Sequence, residues 1–142
     1  MKEFPWMAIA REKLGIHEIA GPEADGFIVE CLKSTTVGYP ENESDEIPWF
    51  SAFVNRILQL AGYEGTNSAW ARNWLEWGVE ADWGNLIVGS IVVLQRGENS
   101  GHVGFFVDSN EDSIKLLGGN QHDSVSYAWF PQSRILGIRV PA

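Results

Sequence analysis

The stretch Pro48-Trp49-Phe50-Ser51-Ala52-Phe53-Val54-Asn55-Arg56-Ile57-Leu58-Gln59-Leu60-Ala61 divides this chain into two textures. It reads as its clearest helix. Proline suits a first helical position, and Phe50, Phe53, Val54, Ile57, Leu58 and Ala61 recur at the three- and four-residue spacing of one helical face. Gly62 is a stop signal. Upstream, residues 5–16 place Trp6, Ile9, Ala10 and Leu14 on a helical stripe between Pro5 and Gly15. Residues 24–34 do the same with Phe27, Ile28, Cys31 and Leu32, and the polar, acidic run 35–47 reads as a loop. Downstream, residues 68–77 carry Trp70, Trp74 and Trp77 on one face of a fourth short helix.

After Gly84 the pattern turns to strands. The runs 86–94, 102–107, 113–117, 125–130 and 135–140 are short and apolar, with turn clusters between them. Helices first and strands afterwards predict an α+β fold with helices on one face of an antiparallel sheet. With 142 residues, no internal repeat and no linker, residues 1–142 read as a single domain and a monomer.

Composition narrows the function classes. Net charge is −9, with no basic stripe, which argues against a nucleic-acid partner. Cys31 is the sole cysteine, so no internal disulfide and no cysteine-rich metal site can form. The opening residues lack a signal-peptide apolar stretch, and no segment reaches the roughly 18 apolar residues of a membrane span. The seven tryptophans read as core for the most part, with a sugar-stacking surface as the alternative.

Few residues suggest chemistry unaided. His102 lies between Gly101 and Gly104, which would leave the imidazole accessible, although a strand-edge histidine among turn glycines reads equally well. Asn120 follows Gly118-Gly119 and alone reads as a turn residue. His17-Glu18, His102 and His122-Asp123 lack the spacing of a metal motif, and the acidic run from Glu41 to Glu46 lacks that of a calcium loop. No metal and no cofactor is expected.

Taken in order, the blocks around Phe50, His102 and Gly118-Gly119-Asn120-Gln121 resemble the Cys, His and Asn stations of papain-like cell-wall peptidases of the NlpC/P60 and CHAP kind. The likeness is strongest to a compact phage- and prophage-associated group of peptidoglycan hydrolases. It runs through Pro5-Trp6, Gly15 to Pro22, Asp45 to Asn55, Gly65 to Leu75 and Ser133 to Gly137. It implies a papain-like fold and cleavage of amide bonds in peptidoglycan peptide stems. His102 would be the general base and Asn120 its orienter, with Trp49, Ser51, Gly101 and Gly119 lining the site. Position 50 should then hold the nucleophile, at a helix start whose partial positive charge favours a thiolate.

Here position 50 is Phe50, which has neither a proton to lose nor a lone pair to attack with. Ser51 is turned about 100° away around the helix and Cys31 lies on another predicted helix, so neither replaces it. The chain as written is therefore expected to be inactive. It is either a substituted form of an enzyme, one base change from a cysteine codon, or a pseudoenzyme that binds muropeptide or a protein without cutting. An interbacterial effector held by an immunity protein would share the same chemistry. Each account implies synthesis in the bacterial cytoplasm and delivery to the wall by holin-type release or a secretion system. The acidic chain gains no long-range attraction to anionic peptidoglycan.

Overall fold

The computed structural model describes residues 3–16, 50–68, 71–96, 101–121 and 124–142, with only the backbone of Asn85 and Asn120. The expected helix over 24–34, the loop over 35–47, Trp49 and Cys31 lie outside them. Among the described residues two α-helices, α1 (Trp6–Glu12) and α2 (Phe50–Leu60), are followed by 3₁₀ turns and strands β1 (Val79–Glu80), β2 (Ile91–Gln95), β3 (Gly101–Ser109), β4 (Ser113–Gln121), β5 (Ser124–Pro131) and β6 (Ile135–Val140). The strands form one sheet in the order β1-β6-β2-β3-β4-β5, every neighbouring pair antiparallel. The fold is α+β, with helices packed on a six-stranded antiparallel sheet.

Helix α2 lies on the sheet because its apolar stripe has nowhere else to be dry. Phe53, Val54, Ile57 and Leu58 are fully buried and share a cluster with Val103, Phe105 and Leu117 of the sheet. Phe53 meets Phe105 edge-on at 6.1 Å between centroids. Each such ring buried contributes about 1.5–3 kcal/mol relative to an exposed one. A second cluster on the alternate strand positions gathers Val92, Leu94, Phe106, Ile114, Leu116 and Ile138. Strand β2 feeds both, Ile91 and Val93 to the first and Val92 and Leu94 to the second, as a period of two requires.

Two polar residues one turn apart on α2 hold the segment that follows it. Ser51 Oγ donates to Ser68 O at 2.7 Å and accepts from Trp74 Nε1 at 2.9 Å. Asn55 Nδ2 donates to Ser51 O, Thr66 Oγ1 and Ser68 O, while its Oδ1 accepts from the backbone of Asn67. Both side chains are fully buried, so their hydrogen bonds replace the water they lost.

Several elements differ from their sequence reading. The expected helix over 68–77 is described as a 3₁₀ turn, Ala71–Glu76. Ser68 O, upstream of it, accepts from Ser51 Oγ and Asn55 Nδ2. The expected strand over 86–94 begins only at Ile91, because Gly89, at φ +101°, turns the chain immediately before it. There the Trp6 indole donates to Gly89 O at 3.0 Å, docking α1. Of the five described tryptophans, Trp6 and Trp74 are core, whereas Trp83 and Trp129 are about half exposed, at 48% and 49%.

Candidate active site

His102 stands where the two apolar clusters meet. Its ring is edge-on to Phe50 at 4.8 Å between centroids and tilted against Phe130 at 5.2 Å. Phe50 belongs to the helix-side cluster, and Phe130 packs against the other. The fold thus brings the start of α2 to the start of β3 across 52 positions of sequence. The imidazole is only 6% exposed. This corrects the expectation that flanking glycines leave it open. A Cβ on Gly101 would sit 3.0 Å from Leu94 O, and one on Gly104 would sit 3.2 Å from Leu116 Cβ, so these glycines admit neighbouring strands.

The partner of the imidazole is Gln121, which sequence reasoning missed. His102 Nε2 and Gln121 Oε1 are 2.8 Å apart. Gln121 reaches this position through a bulge. Between Gly118 opposite Ser126 and Gln121 opposite Ser124, β4 advances three residues while β5 advances two. An extra residue re-aims the side chains that follow it. Gly118 makes room for the result, since a Cβ there would lie 2.5 Å from Gln121 Oε1. The side chain of Asn120, the orienter implied by the resemblance, lies outside the described residues. Both are amides at the end of β4.

The network also fixes the tautomer. Gln121 Nε2 donates to Ser126 O at 2.7 Å and to Leu116 O at 3.3 Å, so the amide nitrogen faces two acceptors. Its oxygen must then face His102, and an oxygen can only accept. The imidazole therefore carries its proton on Nε2 and presents Nδ1 as a lone pair. Burial pushes its pKa down to about 4; the Gln121 hydrogen bond opposes this, and the charges of Arg96 and Arg134 add to it. The ring is neutral at pH 7. An unfolded chain takes up this proton near pH 6.5 and the native one only near 4, so native stability falls as pH drops through that window.

Phe50 and His102 form one wall of a groove of about 450 Å³, with Gln121, the Tyr127–Phe130 stretch of β5, Arg96 and Arg134 as its other walls. Ser51 is not in it. Its hydroxyl is buried and spent on Ser68 and Trp74, which corrects its expected place in the lining and closes it as a substitute nucleophile. Gly101 and Gly119 are buried too. Among the described residues no group of three or more His, Cys, Asp or Glu side chains could hold a metal, and no helix is long and apolar enough to cross a membrane.

No protein-family profile matches the sequence, and no curated protein matches it. Among solved structures, the chain is similar to a crystal structure described as similar to lipoprotein, NLP/P60 family, from Staphylococcus aureus. Identity is 15%, the TM-score 0.48, and the match covers 88% of this chain and 45% of that one. The chain thus spans less than half the length of that protein.

Proposed function

We propose that this chain is a papain-like domain of the NlpC/P60 kind whose amide-hydrolase site lacks its nucleophile, and that it binds peptidoglycan peptide stems without cleaving them. The observation that carries this reading is the packing of Phe50 against a neutral imidazole whose Nε2 is already bonded to Gln121. An amide on one ring nitrogen leaves the other as base, the division of labour that thiol catalysis needs. With a thiol at position 50, Nδ1 would take its proton, the thiolate would attack the stem carbonyl, and the imidazolium would return the proton to the departing amine. With phenylalanine there is no group to deprotonate. Gln121 takes the orienting role in this reading.

The test compares the chain with its Phe50→Cys variant on purified sacculi, following soluble muropeptides by chromatography. The reading expects no release by the chain as it stands. It expects release by the variant, abolished by thiol alkylation. Release by the unaltered chain at the variant's rate contradicts it. Silence from a folded variant would leave a binding domain with no latent hydrolase site.

A further inference from the structure

We propose that the groove beside His102 is a carboxylate-binding site, in which Arg96 and Arg134 grip a free carboxylate of the ligand and Phe50 is the seat that holds Arg96. The peptide nature of the ligand rests on the function proposed above; the anion site does not. The chain holds 19 acidic and 10 basic residues, yet among the described residues the lining of this groove contains two arginines and no aspartate or glutamate. In a chain of this charge, that segregation selects an anionic ligand.

The arginines are held rather than free. Arg96 Cζ lies 5.7 Å from the centroid of Phe50, and Arg134 Cζ lies 5.3 Å from that of Phe130. Both rings touch His102, so the two guanidinium groups flank the imidazole. Arg134 Nε donates to Gln95 O at 2.9 Å, the carbonyl immediately before Arg96, which ties one arginine to the other's backbone. That bond uses Nε and leaves the terminal nitrogens of Arg134 for a planar, two-oxygen acceptor. Among the described residues neither arginine has a carboxylate within ion-pair distance; the one such pair is Glu3–Arg11. His102, neutral and bonded to Gln121, brings no charge of its own.

This gives Phe50 a positive role. A cysteine at position 50 has no ring face for a guanidinium, whereas phenylalanine attracts one through its quadrupole. The residue that ends thiol chemistry thereby fixes a cation at the same spot. Tyr127 and Trp129, 39% and 49% exposed, supply apolar surface for the rest of a ligand.

The experiment is titration calorimetry with a purified muropeptide bearing free stem carboxylates and with the same muropeptide amidated. The free acid should bind on the order of tenfold more tightly, as loss of a charge-assisted pair implies. Arg96→Gln, at an exposed position, and Arg134→Gln, at a half-buried one, should each erase most of that preference. Phe50→Leu should weaken it by loosening Arg96. Equal affinity for acid and amide, no binding of either, or a preference that survives both glutamine variants overturns the proposal. A peptide of L-residues with a free carboxylate separates the two ideas. If it binds equally well and loses affinity in the glutamine variants, the carboxylate site stands and the peptidoglycan reading falls. If Phe50→Cys cleaves sacculi without any acid preference, the reverse holds.

Discussion

On the strand side of the site every polar atom of the Gln121 side chain is engaged, whereas on the helix side Phe50 contributes only a ring. The first half is specified by direction: one donor, one acceptor and a bulge decide which nitrogen of His102 carries a proton. The second is specified by volume, and any apolar residue of similar size would satisfy α2. In the proposed reading, losing a nucleophile need not disturb the base beside it. Directional networks hold themselves, and the packing stripe of a helix does not depend on chemistry at its first residue.

Four substitutions test this contrast. Phe53 and Phe50 lie three residues apart on one helix, the first sealed in the core and the second against the groove. Phe53→Ala should cost about 3–5 kcal/mol in urea unfolding. Phe50→Ala should cost clearly less, because water can enter from the groove; equal losses would mean that Phe50 is a core residue like any other. Gln121→Leu keeps the volume but strands two carbonyls and the His102 N–H, with an expected loss of about 2–3 kcal/mol. A neutral result would show that the network is dispensable. Smallest is Gly118→Ala, about 1 kcal/mol, since the added methyl meets only the tip of the Gln121 side chain and the His102 ring edge. Its sharper mark should be a broken His102–Gln121 bond, visible as a change in the histidine side-chain resonances.

The sequence made the packing legible and the site only partly so. The stripe on α2 and the extent of β6, residues 135–140, follow from periodicity alone, and His102 falls in a strand as expected. Position 50 beside His102 was foreseen through resemblance, not through any pattern in the helix. Gln121 was hidden because a bulge breaks the two-residue count that says where a strand residue points. Ser51 misled for a similar reason. The resemblance implies a lining role for it, but its bonds run to Ser68 and Trp74, partners that only the folded chain reveals. The arginines of the groove, one just after β2 and one in the 3₁₀ turn before β6, stand 38 positions apart and carry no shared motif.

The central claim, an intact and correctly oriented base beside a missing nucleophile, is tested most directly by ¹⁵N NMR of His102 across a pH titration. The account predicts a neutral ring protonated on Nε2 at pH 7, with conversion to imidazolium only as pH approaches about 4. A proton on Nδ1 at neutral pH, or an imidazolium already formed near pH 6.5, would contradict it.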